Sequence, residues 1–272
     1  MRRPSPMILV LLLWCAGLGA AAQFGKISIH YEALRGSYGE NGEVALGLVV
    51  SIVGMVGLIL GTTAGLLVAR IGPRRAIVAA LVAGAAMSAL QALLPTYPLM
   101  LASRVVEGVS HLAIVVVGPT MIAALAPEAR RPLAMTLWSS FFGVTYAVLA
   151  VIGPQTTPAG LFLGHAAYMA ALAVILGLAL PADPRGALPP TCNLLRQHAD
   201  IYLSPRLSAP AMGFCCYTFL YVAVLTLIPP ETPLTHRALI ATGMPLVSIL
   251  VSLTLGVRLL RHMSAVRLVQ WG

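Results

Sequence analysis

Apolar residues run through this chain in long blocks, and short polar segments interrupt them. Eight blocks are long enough to cross a bilayer: approximately Met7–Ile29, Val44–Ala69, Ala76–Leu94, Leu99–Leu125, Leu133–Ile152, Gly160–Leu180, Ala209–Leu227 and Ala238–Leu260. A bilayer core about 30 Å thick takes roughly 20 residues of α-helix. The breaks between blocks hold glycine, proline and charge, as turns and loops do. Hydrocarbon offers a backbone no partner, so each block is expected to be a helix that bonds to itself. The alternating pattern of a membrane barrel is absent. The pattern therefore predicts an all-α polytopic membrane protein with eight transmembrane helices.

Composition agrees. The chain is 59% hydrophobic and 9% charged, whereas soluble domains carry about 25% charged residues. The net charge of +9 would suggest nucleic acid in a soluble protein, but no basic tract is interleaved with aromatics, and nucleic-acid binding is not expected. The basic residues sort by loop instead. With a cytoplasmic N-terminus, 13 of the 17 fall on the cytoplasmic side, from Arg2 and Arg3 through Arg70, Arg74, Arg75, Arg130 and Arg131 to Arg196 and Arg206. Lys26, Arg35 and Arg237 fall outside or near the outer surface, and Arg104 lies within a span. That asymmetry is the positive-inside bias, and it places the chain as a multi-pass protein of the cytoplasmic (inner) membrane.

Residues 1–22 also have the outline of a secretory signal: two arginines, an apolar core and the small residues Gly19-Ala20-Ala21-Ala22. Apolar character continues past that point through Phe24, Ile27 and Ile29, and the next span begins some 20 residues later. A retained first helix is the favoured reading. The four cysteines form no Cys-x-x-Cys pair, so neither a zinc site nor a disulfide framework is expected.

The stretch Gly65-Leu-Leu-Val-Ala-Arg70-Ile-Gly72-Pro-Arg74-Arg75 joins the second and third spans. It resembles the loop signature between the second and third helices of the major facilitator superfamily, a family of secondary transporters. The family pattern is Gly-x-Leu-Ala-Asp-Arg-x-Gly-Arg-Arg. Gly65, Leu67, Arg70, Gly72 and Arg74 match it, while Ala69 stands at the acidic position and Pro73 at a basic one. The resemblance implies a six-helix N-terminal half over residues 1–180, a central cytoplasmic loop over 181–205 and a partial C-terminal half over 206–272. A weak repeat fits that division: Gly65 lies five residues before Arg70, and Gly256 lies five before Arg261. The family has twelve helices, so the chain is expected to cover the first half and two helices of the second, as a truncated form.

Candidate chemistry concentrates in the fourth span. Arg104, Glu107, Gly108 and His111 share one helical stripe, and charge within a membrane is rare and usually functional. The family carries an arginine followed by a glycine four residues on at this place, and in proton-coupled members that arginine is implicated in coupling. Arg104, Glu107 and His111 are thus candidate transport and coupling residues, set against the plainer reading of a neutralising Arg104–Glu107 pair. Gln23, Lys26 and His30 recur at helical spacing in the first span. Deep in the bilayer they would line a cavity for an anionic solute; near the surface Lys26 would snorkel to water. His165 with Tyr168, and Tyr217 with Tyr221, are further cavity candidates, although such aromatic pairs usually pack. Gly57, Gly61 and Gly65 form a small-residue ridge suited to close helix packing. Pro119 marks a candidate bend in the fourth span.

Drug–proton antiporters of the family carry spaced glycines ending in Gly-Pro on the fifth helix. Here Gly153-Pro154 is preceded by Leu149 and Thr145 at those positions, which favours uptake of a small solute. No Gly-x-x-x-x-Gly-Lys-Ser/Thr motif is present, so nucleotide-driven pumping is not expected. His-Glu-x-x-His and Gly-x-Ser-x-Gly are also missing, which leaves an intramembrane enzyme with little support. The expected function is secondary transport of a small-molecule solute by alternating access, with protons as the candidate coupling ion and no cofactor or metal. The alternative is a non-transporting remnant of such a carrier.

Overall fold

The computed structural model describes residues 4–183, 193–251, 254–255, 257–260, 262–264 and 267. Arg2, Arg3, Arg185 and the Gly256 and Arg261 pair of the repeat lie outside the described residues. Within them every regular element is a helix. The long ones are α1 (Pro6–Ile29), α3 (Glu43–Ile71), α4 (Pro73–Gln91), α5 (Tyr97–Leu125), α8 (Pro158–Ala179), α10 (Pro205–Glu231) and α11 (Leu234–Val251), with the short helix α2 (Tyr31–Tyr38) between α1 and α3. Six helices among the described residues are long and apolar enough to span a membrane, and a bent pair counted as one span brings the number to seven. In α10 the apolar stretch within the described residues is shorter, Cys216–Glu231.

The fifth span expected from the sequence is broken into two helices rather than continuous. Residues Leu133–Ile152 divide into α6 (Arg131–Ser139) and α7 (Phe141–Ile152), which meet at 41° together with their flanking turns. A serine pair sits at the break. Ser139 Oγ donates to the Thr136 carbonyl and Ser140 Oγ to that of Leu137, each at 2.7–2.8 Å. Such back-bonding competes with the helical ladder and bends it. By contrast α5 runs through Pro119 as one helix. The stretch between α8 and α10 also holds a helix, α9 (Leu194–Leu203), begun by Asn193, whose side chain accepts from the Arg196 amide at 3.2 Å.

Packing follows sequence neighbours only in part. α4 lies against α8 and α5, α3 against α5, and α1 touches α5, α7 and α8 at the centre. α11 packs on α7, and α10 reaches α1 and α3. Two apolar clusters fill the interior. One holds Leu9, Leu13, Ile77, Leu81, Ile122 and Leu176; the other holds Phe24, Leu34, Met100, Phe162, Val222 and Leu225. Large apolar side chains such as Ile59, Leu163, Val174 and Leu178 are exposed, the surface a bilayer would cover. The loop between α3 and α4 turns at Gly72, where φ is +97°, a backbone region that favours glycine.

Candidate functional site

Between the two apolar clusters lies a layer of polar side chains. On each of four helices the order is the same: apolar, polar, apolar. Gln23 and Lys26 come from α1, Ser88 and Gln91 from α4, Ser103, Arg104, Glu107 and Ser110 from α5, and His165 from α8; Gln23, Lys26, Ser88, Gln91, Arg104 and Glu107 are fully enclosed.

Glu107 is the hub. Its Oε1 accepts from Lys26 Nζ at 2.6 Å, and its Oε2 from Arg104 Nη1 at 2.5 Å and Gln91 Nε2 at 2.8 Å. Lys26 also donates to Ser88 Oγ at 2.7 Å and lies 3.5 Å from His165 Nδ1. Arg104 spends its other donors on backbone carbonyls: Nε to Val49 at 2.8 Å and Nη1 to Gln23 at 2.6 Å. One guanidinium therefore ties α5 to both α1 and α3. Gln23 Nε2 donates to Ser110 Oγ at 3.0 Å, and His165 Nε2 lies 3.0 Å from the Gly19 carbonyl. A carbonyl only accepts, so Nε2 carries the proton and Nδ1 faces Lys26 and Ser88 as an acceptor. Gly84 makes the approach possible, since a Cβ there would meet Gln23 Nε2 at 2.8 Å and Ser110 Oγ at 2.9 Å.

With His165 neutral, the layer holds two cations and one anion. An uncompensated charge in a low-dielectric interior is costly. Two acceptors, Gln23 Oε1 and Gln91 Oε1, have no hydrogen-bond partner among the described residues.

Beside this layer is a cavity of about 710 Å³ between α1, α3, α5, α6 and α7 on one side and α9 and α10 on the other. Phe24, Val53, His111, Trp138, Phe142 and Phe219 line it. His111 Nδ1 lies 2.9 Å from the Ala20 carbonyl, and its ring packs edge-on against Phe24 and Phe142, with centroids 5.0 and 6.1 Å away. At one edge Thr226 Oγ1 of α10 approaches Ser28 Oγ of α1 at 2.7 Å, and Ser28 lies 3.3 Å from the Tyr146 hydroxyl. At another, the Tyr202 hydroxyl of α9 donates to the Leu58 carbonyl of α3.

The sequence-derived candidates thus separate. Arg104, Glu107, Gln23, Lys26 and His165 meet in the sealed layer, and Lys26 neither snorkels outward nor lines the cavity. His111 does line the cavity. His30 lies apart, beyond the end of α1, with Nε2 3.3 Å from Thr156 Oγ1. Tyr217 is exposed and stacks on Tyr221, whose ring also meets Phe142 and Tyr146. The close approach expected along Gly57, Gly61 and Gly65 is not made among the described residues: a Cβ at any of them would meet nothing within 4 Å. Gly57 and Gly61 face the cavity instead. The glycine packed tightly against α3 is Gly108 of α5, where a Cβ would lie 2.9 Å from Val56 Cβ and 3.1 Å from Val53 Cα.

In the loop signature, the acid missing at Ala69 has a counterpart from elsewhere. Asp183, beyond α8, accepts from the Arg74 and Arg75 amides at 2.8 and 3.1 Å and approaches Arg75 Nε at 4.0 Å. It caps the N-terminus of α4, where a carboxylate suits both the free amides and the helix dipole. The Arg74 guanidinium donates to the Gly177 carbonyl. Sequence reading missed Asp183, Ser28 and Thr226, which carry no local signal. Ser88 and Gln91 were discoverable as polar residues at i, i+3 in an apolar helix.

Helices long enough to span a bilayer, with charged side chains buried among them, define a polytopic membrane protein. The profile of the Major Facilitator Superfamily matches residues 9–272, and the chain belongs to that family. It is similar to the inner membrane transport protein YajR of Escherichia coli (strain K12), 27% identical over 195 residues, or 70% of this chain and 42% of that protein. The chain thus matches less than half the length of that relative.

Proposed function

We propose that this chain forms the N-terminal half, over residues 1–180, the central connection, over 181–205, and part of the C-terminal half, over 206–272, of a secondary transporter. The whole moves a small solute across the cytoplasmic membrane, with its N-terminus inside. The observation that carries this reading is the cavity between the first helix group and α9 and α10, beside a charge layer wholly inside the first group. Rocking of α10 and α11 against that group would open one end of the cavity and close the other. The Thr226–Ser28 and Tyr202–Leu58 contacts are the bonds that such motion would break.

Coupling falls to Lys26, Arg104 and Glu107. Loss of one proton from Lys26 would leave one cation against one anion, so a proton can enter or leave at a known change in net charge. His165 and Ser88 are the neighbours that would pass it on. The sorting of the basic residues to one side supports the orientation.

The test is solute flux in proteoliposomes under an imposed pH gradient. Lys26→Met and Glu107→Gln are expected to abolish gradient-driven accumulation while leaving solute exchange at equal pH in place. Accumulation at wild-type rate in both variants would remove the charge layer from the mechanism.

A further inference from the structure

The cavity carries information about its occupant that its place in the fold does not. It has no Asp, Glu, Lys or Arg in its lining among the described residues. The nearby ionised groups, Lys26, Arg104 and Glu107, are fully enclosed and paired with one another. Against this part of the lining a charged solute would shed its hydration with no counter-charge to replace it. The lining is mostly apolar, and one part of it is aromatic: Phe24, Trp138, Phe141, Phe142 and Phe219. Rings of this kind favour flat, apolar molecules through stacked and edge-on contacts.

His111 adds direction. Its Nδ1 is held by the Ala20 carbonyl at 2.9 Å, and because a carbonyl only accepts, the proton of the neutral ring sits on Nδ1. Nε2 is then an acceptor. Among the described residues no protein donor is bonded to it.

From this we infer that the cavity binds an uncharged, planar aromatic molecule whose hydrogen-bond donor is accepted by His111 Nε2. The inference rests on reading the cavity as the solute path, and it names the class of solute. It departs from the anionic solute that Lys26 suggested in the sequence, because Lys26 is spent on Glu107, Ser88 and His165.

The test uses the full chain in lipid nanodiscs with tritiated indole, counted above empty nanodiscs. Indole is expected to bind saturably. N-methylindole, which lacks the donor, should compete about tenfold more weakly, the worth of one hydrogen bond. Indoleacetate, which keeps the donor but adds a negative charge, should not compete. His111→Phe should erase the preference for indole over N-methylindole, and His111→Gln, which retains an acceptor, should keep part of it. Competition by indoleacetate equal to that of indole would overturn the inference, as would no saturable binding, or an unchanged preference in a folded His111→Phe variant. The wild-type ranking decides the matter even if both variants fail to fold. Saturable flux of an anion without indole binding would sink this inference and leave transport standing. Indole binding without any flux would do the reverse.

Discussion

Lys26 of α1 and Glu107 of α5, separated by 81 positions, meet at 2.6 Å with both side chains fully enclosed. Arg104 shares the same carboxylate from the other side. The three make one unit, and removing its anion leaves two cations with no charge partner. Glu107→Gln is expected to destabilise the protein by about 3–5 kcal/mol, the cost of breaking a buried pair. The double variant Lys26→Met/Glu107→Gln should recover part of that loss. Thermal unfolding of the purified protein in detergent provides the measurement, and a double variant as unstable as the sum of its singles would show no coupling.

Two kinds of glycine should respond in opposite ways. Gly108→Ala forces a methyl against Val56 and the Val53 backbone, and such overpacking costs about 1–3 kcal/mol. Gly57→Ala and Gly61→Ala meet nothing within 4 Å. In a helix that change is neutral or stabilising by about 0.5–1 kcal/mol. Melting temperatures of the three single variants test the contrast. A destabilised Gly57→Ala would mean that a helix does pack against this face.

Asp183 ties the chain beyond α8 to the start of α4. Asp183→Ala should cost about 1 kcal/mol as a lost cap. Hydrogen exchange should quicken at the Arg74 and Arg75 amides, whose acceptor is gone. Unchanged exchange at both would show that the carboxylate is not their partner in solution.

His30 sits past the end of α1, and burial pulls its pKa below the ordinary value of 6.5. The folded state thus disfavours the protonated ring. The stability this carries is full above the unfolded value and is lost as pH falls below it. The melting temperature of the wild type should drop between pH 7 and pH 5, and His30→Gln should flatten that drop. An equal slope in both proteins would place the acid sensitivity elsewhere.

Orientation has a direct check at Arg196, which is exposed on α9. A cysteine there, in a background without the four native cysteines, should resist an impermeant maleimide in intact cells and react after permeabilisation. Labelling of intact cells would invert the topology.

Span lengths and helical character were legible in the sequence because they are local. A bilayer demands long apolar runs that satisfy their own backbones, and those runs need no knowledge of their neighbours. The family could be read for a similar reason, since the residues of the Gly65–Arg75 signature sit side by side. The Arg104–Glu107–His111 stripe was also visible, as one face of one helix. What that stripe touches was not. Only packing brings Lys26 and His165 to Glu107, and only packing turns His111 away from them toward the cavity. The bend at Ser139-Ser140 was not legible either, because an apolar run reads as unbroken until its backbone is seen. Gly57 and Gly108 look alike in the chain and differ only in whether another helix lies opposite. Tertiary structure decided these points because contact energy depends on the distance between side chains, and sequence spacing sets that distance within one helix but never between two.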